Sequence, residues 1–465
     1  MTYQEAKRDL EQHGQGHVLK YWDRLDEKQK VGLLSQIEAL DFKTIARIQD
    51  KLKAGGEAGE PQGEIIPAPV VSLTPEKVPE PLRIGEAALR AGQVGVILVA
   101  GGQGTRLGYD GPKGTYRLAP LTHASLFEIH ARKILALERY YNTRIPFYIM
   151  TSGGNDADTR AFFDSKKYFG LNPERVKFFI QGTLPAFYPD GRIVLEAPDK
   201  LFSAPDGHGG ILSALDRRGM LTDMKARRLT TLFYFQVDNP LVEIADPAFV
   251  GLHLQRNADM SLKVCSKRDA DEGLGVTVVR NGRCSVVEYI ELTSEQKNAR
   301  RPDGELVLKF GSVAIHIFSL EFLGREVSAG LPLHKAHKKV SFCDEYGVTI
   351  KPEKPNAYKF EKFIFDALPD AKESLIMAFA REDEFAPVKN AEGNDSPESS
   401  RAAMIEKFAR WFEALGIKVP RYANGQVSVK IEIDSAYAHS VESLAARLPK
   451  GFEIKGDMLL NDPTS

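Results

Sequence analysis

The chain has 465 residues, which at about 150 residues per domain suggests roughly three domains, or one large domain with appendages. Its 43% hydrophobic and 27% charged residues are an ordinary globular mixture, and 62 Lys plus Arg against 63 Asp plus Glu leave a net charge of −1, which argues against a protein built on non-specific nucleic-acid binding. The three cysteines, Cys265, Cys284 and Cys343, lie far apart with no CxxC pair, excluding a disulfide framework or a cysteine-built zinc site and fitting a reducing compartment.

The first ten residues are polar and carry Glu5, Lys7, Arg8 and Asp9, so no signal-like apolar stretch is expected there. The apolar run at 94–100 is far shorter than the ~20 residues a spanning helix needs. A cytoplasmic protein without a membrane partner is the expectation. Residues 1–50 read as helical, with Leu25, Val31, Leu34, Ile37 and Leu40 recurring among charged residues and no internal proline. From 54 to 81 glycines and prolines crowd the chain, which reads as an extended linker over the surface.

After a helical segment at 84–91, strand-like runs at 94–100, 146–150, 176–181, 232–237 and 261–264 alternate with helical stretches, most clearly 124–141. That alternation predicts a mostly parallel sheet covered on both faces. Further strands are expected at 275–279, 284–289, 306–310 and 313–318, and helices at 360–368 and 401–415. Two last strands, 426–433 and 451–454, suggest a small terminal domain.

The segment QVGVILVAGGQGTRLGYDGPKGTY, beginning at Gln93, carries the chemistry. An apolar strand runs into Gly101, Gly102, Gly104 and Gly108, where the backbone can turn sharply and bring N–H groups close to a ligand. Such a nest beside Arg106 and Lys113 is a site for phosphate oxygens. It is neither GxxxxGK[ST] nor GxGxxG, and a tight glycine turn without a ligand is the alternative. Asp238 ends an apolar strand, where a carboxylate suits Mg2+ shared with phosphate oxygens, or else serves a turn before Asn239-Pro240.

AGGQGTRLG followed by PKG resembles the signature of the eukaryotic-type UDP-N-acetylglucosamine and UDP-sugar pyrophosphorylases. Segments 181–186 (QGTLPA), 205–210 (PDGHGG), 237–239 (VDN), 287–289 (VEY), 359–366 (KFEKFIFD) and 384–390 (EFAPVKN) match in the family's order, over roughly residues 90 to 400. The resemblance implies a central Rossmann-like α/β nucleotidyltransferase domain at 93–375. A helical segment and linker at 1–92 and a small α+β domain at 376–465 would flank it. It implies a reaction in which UTP and a sugar 1-phosphate give a UDP-sugar and pyrophosphate, with N-acetylglucosamine 1-phosphate as first choice and Mg2+ as cofactor.

By that resemblance Arg106, Lys113 and Lys389 neutralise phosphate charge, and Asp238 holds the metal. Ala100, Gly101, Gly102, Gly104, Thr105, Gln181, Gly207 and His208 contact the nucleotide, with the uracil at Gln181 and the Gly207 region. Glu288, Tyr289, Ser312, Lys359, Phe363 and Phe365 fall to the sugar, though core packing is an equal reading of the two phenylalanines. Relatives often have Asn where His208 stands. At 311–316 the chain reads GSVAIH where the N-acetylhexosamine enzymes typically read GNIANH, so Ser312 and Ile315 replace both asparagines. UDP-glucose or UDP-galactose synthesis is therefore the runner-up, and a catalytically inactive nucleotide-sugar-binding regulator a third reading. The sequence sets no oligomeric state.

Overall fold

The computed structural model describes residues 1–54 and 63–462. Its contacts group the chain into two units: Met1–Gln62, Gly182–Leu212 and Gly330–Asp366 form one, and Gly63–Gln181, Ser213–Ala329 and Ala367–Ser465 the other. The first unit is thus assembled from three separated stretches, and its boundaries run differently from a division in chain order.

In the first unit, helices α1 (Tyr3–Gln12), α2 (Glu27–Glu38) and α3 (Phe42–Lys53) start at Thr2, Asp26 and Asp41, whose side-chain oxygens accept backbone N–H groups of the first turn. The buried face of α2 carries Leu33 and Ile37, while Val31 is 67% exposed, so the expected apolar stripe is only partly the buried one. Ala6, Leu10, Ile45 and Ile48 share a core cluster with Phe187, Ile193, Leu333 and Phe360. Gln15 fixes this association across the chain: its Nε2 donates to Gly191 O (2.9 Å) and its Oε1 accepts from Ile193 N (2.8 Å), leaving no buried amide atom unmet.

The second unit is built on one sheet of eleven strands. In chain order these are β1 (Ile65–Pro67), β2 (Val71–Ser72), β3 (Val94–Val99), β4 (Phe147–Thr151), β5 (Val176–Ile180), β6 (Thr231–Gln236), β7 (Met260–Ser266), β8 (Val276–Arg280), β9 (Arg283–Val287), β10 (Phe310–Ser319) and β11 (Ser374–Ala378). The main path runs β2-β11-β7-β10-β6-β3-β4-β5. Only β10 is antiparallel to its neighbours on this path; the other pairs are parallel, as the strand–helix alternation predicts. β8 and β9 form an antiparallel pair beside it, with β1 on the outer side of β8.

Several sequence expectations are corrected. Residues 55–62 of the supposed linker lie outside the described residues, but beyond them β1 and β2 join the sheet, and Ala68 is buried between them. Helix α4 (Pro79–Arg90) begins at Pro79, because proline in a helix's first turn sacrifices no hydrogen bond. Residues 306–310 form no strand apart from Phe310; Leu306 and Leu308 are buried as loop anchors, and their spacing of two mimics a strand. Where a helix was expected at 360–368, a strand (Ala357–Glu361) pairs with His334–Lys338 and gives way to a 3-10 turn, Ile364–Asp370.

Helices α5 (Leu126–Tyr141), α6 (Asp156–Ser165) and α7 (Pro247–Gln255) follow strands of the sheet, and α7 crosses α4 in backbone contact. A Cβ on Gly85 would fall 1.8 Å from Pro247 O, and one on Gly251 would fall 1.6 Å from Pro81 O. Helix α8 (Pro397–Ala414) is capped by Ser396 and presents Ala409 and Phe412 to a separate cluster with Val419, Ile431, Leu444 and Ile454. The last strand pair is Ile431–Ile433 with Met458–Leu460; residues 451–454 stay irregular after the left-handed Gly451. No helix among the described residues is long and apolar enough to cross a membrane.

Candidate active site

Strand β3 is buried from Val94 to Leu98 and delivers the chain directly into the glycine loop. Ala100 is 1% exposed, and its N–H still donates to Met150 O (2.8 Å). At Gly101 an added Cβ would lie 3.0 Å from Gln181 Oε1, so the glycine lets the Gln181 side chain approach the loop. Gly102 is exposed with nothing within 4 Å of a Cβ, whereas a Cβ on Gly104 would meet the Tyr109 ring at 2.7 Å. Thr105 and Arg106 stand exposed in a single 3-10 turn, Thr105–Leu107, and Arg106 forms no ion pair among the described residues.

Asn155, which the sequence did not single out, fastens this loop. Its Nδ2 donates to Ala100 O (2.9 Å) and Gly102 O (3.3 Å), while its Oδ1 accepts from Ser152 N (2.8 Å). The run Ser152-Gly153-Gly154-Asn155 after an apolar strand was the available signal. Lys113 returns to the loop through its own N–H to Gly102 O (3.1 Å), and Gly114 beside it leaves room for the Phe127 ring.

Strand β6 runs parallel to β3 and ends beside the glycine loop. Val237 N still donates to Val99 O (3.1 Å), and the next residue, Asp238, is 9% exposed with Oδ2 at 3.4 Å from Lys113 Nζ. The Asp238 carbonyl accepts from Val388 N (2.9 Å), which brings Lys389 next to this turn, with its Nζ 5.8 Å from the Phe385 ring centre. The glycine loop, Gln181, Lys113, Asp238 and Lys389 therefore gather at the carboxyl ends of parallel strands, where open α/β sheets bind ligands. Among the described residues no group of three or more His, Cys, Asp or Glu side chains is placed to hold a metal. A lone hard carboxylate fits Mg2+ only if phosphate oxygens and water complete the coordination.

Glu288 follows β9, and Ser312 lies on β10. They meet around Gly275: Ser312 N donates to Gly275 O (2.8 Å), and a Cβ on Gly275 would fall 3.2 Å from Glu288 Oε1. Tyr289 is 38% exposed and packs against Gly273. Pairing of β10 with β7 skips from Ile315 to Ser312, and Ala314 takes up a left-handed φ of 57° in the bulge. The bulge turns Ile315 into the core at 1% exposure, so of the two replaced asparagines only Ser312 stays beside Glu288.

Within the first unit, Gly207 has φ 81°, and a Cβ there would collide with Lys362 O at 2.4 Å. His208 is half-buried, accepts the Ile364 N–H on Nδ1 (3.3 Å) and stacks on Phe363, ring centres 5.4 Å apart. Burial, with His334 nearby, pushes the imidazole down to about 4, which agrees with an accepting, neutral ring. Phe365 and His334 complete the ring cluster, and His334 Nε2 is 2.7 Å from Asp366 Oδ2. Phe365 is 8% exposed and Phe363 half-buried. Lys359 instead holds its Nζ over the Phe202 ring at 4.7 Å.

A cavity of about 590 Å³ lies elsewhere in the second unit, lined by Lys133, Tyr140, Glu243, Lys407 and Trp411 among others. None of the candidate site residues borders it.

A mostly parallel sheet with a glycine loop, a lysine and a carboxylate at its strand ends defines a nucleotide-binding α/β protein. The family described as UTP–glucose-1-phosphate uridylyltransferase matches residues 69–454, and the chain belongs to that family. It is 37% identical to UDP-N-acetylglucosamine diphosphorylase 2 of Arabidopsis thaliana, covering 94% of this chain and 90% of the relative. It is 34% identical to the Saccharomyces cerevisiae UDP-N-acetylglucosamine pyrophosphorylase, over 96% and 97% of the two chains. Among solved structures, the uridine diphosphate N-acetylglucosamine pyrophosphorylase of Trypanosoma brucei superimposes with a TM-score of 0.85 at 25% identity, covering 98% of each chain.

Proposed function

We propose that this uridylyltransferase joins UTP and N-acetylglucosamine 1-phosphate into UDP-N-acetylglucosamine and pyrophosphate, in the cytoplasm. The observation that carries the reading is Lys113 set 3.4 Å from Asp238 beside the glycine loop, a cation and a metal-type carboxylate where a triphosphate would lie. A sugar phosphate is already ionised near neutral pH, so its oxygen can attack the α-phosphorus of UTP without a general base. The remaining task is to hold two anions together and to neutralise the charge growing on the departing pyrophosphate.

Each group then has a distinct part. Ala100, Gly101, Gly102, Gly104 and Thr105 offer backbone to the phosphates, and Gln181 offers a donor and an acceptor to the uracil edge. Arg106, Lys113 and Lys389 balance the phosphate charge. Asp238 would hold Mg2+, which when bound supplies further neutralisation of the phosphate oxygens. The nucleotide contact of Gly207 and His208 and the sugar contact of Lys359, Phe363 and Phe365 rest on the match of their segments to the family. Glu288 accepts from sugar hydroxyls, with Tyr289 as an apolar face and Ser312 next to it.

The short reach of Ser312 keeps UDP-glucose or UDP-galactose synthesis as the second reading. The test is pyrophosphate release from UTP and Mg2+ with glucose, galactose, N-acetylglucosamine and N-acetylgalactosamine 1-phosphates. N-acetylglucosamine 1-phosphate should be used best, and Ser312→Asn should shift kcat/KM toward it by about tenfold if one hydrogen bond is gained. Use of the unsubstituted hexoses alone would replace the first reading by the second.

A further inference from the structure

Behind the Asp238 turn lies a buried charge cluster with no part in the proposed chemistry. Lys263 projects from β7 with its side chain fully buried, and its Nζ donates to Asp246 Oδ2 (2.7 Å) and to Glu384 Oε1. Burial alone would discharge this amine, but the two carboxylates outweigh it and hold Lys263 above the ordinary lysine range. Burying such a cluster seldom stabilises a protein more than a well-packed apolar replacement would. Its physical content is the fixed placement of the segments it joins.

Those segments are the ones that carry Asp238 and Lys389. Glu384 Oε2 accepts from Glu243 N (3.3 Å), and Asp246 Oδ1 accepts from Ala248 N (2.9 Å) at the start of α7. Asn239 completes the lacing: its Nδ2 donates to Glu384 O (2.6 Å), and its Oδ1 accepts from Ala386 N (3.1 Å) and Leu241 N (3.3 Å). Together with Val388 N to Asp238 O, residues 384–388 are tied along 238–243, and Lys389 is the next residue out.

We propose that Lys263, Glu384 and Asn239 form a clamp of positioning residues that sets Lys389 against Asp238 for the transfer step. The clamp rests on the phosphate role given to Lys389 above. It touches no substrate, so its loss should appear in turnover rather than in substrate capture. An ångström-scale misplacement of a charge-neutralising group costs on the order of a hundredfold.

A double-mutant cycle tests this, with kcat, KM for UTP and the melting temperature measured for each variant. Glu384→Gln should lower kcat by about ten- to a hundredfold with KM for UTP little changed. Placed on Lys389→Ala, it should cost almost nothing more, because the group it positions is gone. Asn239→Ala leaves the ion cluster intact and should behave alike, which keeps the test alive if Glu384→Gln does not fold. Full, independent losses in the Lys389→Ala background, or Asn239→Ala turning over like the parent enzyme, would overturn the clamp while leaving the role of Lys389 standing. If Lys389→Ala itself is fully active, the role assigned to Lys389 falls first and the clamp with it.

Discussion

Lys113 meets two demands at one point in the chain. Its backbone N–H closes the glycine loop onto Gly102, and its side chain, 18% exposed, faces Asp238. Replacing it with alanine removes only the second contribution, so Lys113→Ala should stay folded by circular dichroism while turnover falls roughly 10²–10³-fold. Near-normal turnover would take Lys113 out of the chemistry. His208 shows a different kind of control. Its folded-state value is pushed below the ordinary 6.5 to about 4, so between these values the unfolded chain binds the extra proton. The contribution of the neutral ring to stability is therefore complete above about pH 6.5 and is lost as the pH falls toward 4. His208→Asn should flatten that acid loss, read as a smaller drop in urea midpoint between neutral and acidic pH. Because the ring stays neutral, the shape of the pH–rate profile above about pH 6 should not change, whatever happens to its height. A new inflection above that pH would contradict the neutral assignment.

At the scale of elements, what could be read depended on how far apart the interacting residues lie. β4 and β3 up to Leu98 are buried and announce themselves as continuous apolar runs, and the glycine loop keeps its candidate residues next to one another. The strand at Ala357–Glu361 is only five residues, AYKFE, and the aromatic residues that run on from it to Phe365 fit either period, while its partner His334–Lys338 is nearly polar. Asn239 and Glu384 stand in the matched segments VDN and EFAPVKN, but 145 residues separate them, and nothing local shows that the two are bonded to each other. The α4–α7 crossing is likewise invisible as a pattern, since Gly85 and Gly251 read as mere helix weakeners. In the folded protein both are required, because the two backbones touch there. Gly251→Ala should thus destabilise by about 1–3 kcal/mol or more, measured by urea unfolding. A stability equal to the parent's would mean that the helices can separate at no cost.

The whole molecule carries a net charge of −1 yet, on the proposed reaction, must bring two anionic substrates together. Attraction cannot come from the overall charge, so the proposed function makes it local, from Arg106, Lys113 and Lys389, with Mg2+ at Asp238. That makes binding itself a measurable property of the folded chain, separate from turnover. A ligand at a hundred times its Kd stabilises the state that binds it by about 2.7 kcal/mol, enough to raise the melting temperature by several degrees in a protein of this size. UTP with Mg2+ should therefore raise the melting temperature, and UTP in excess chelator should raise it much less. Asp238→Asn should need far more Mg2+ to recover the same shift, while its melting temperature without ligand stays near the parent's. If UTP stabilises equally in chelator, or if Asp238→Asn follows the parent's Mg2+ titration, the metal is not held at Asp238, and the charge of the triphosphate falls to the three cations alone.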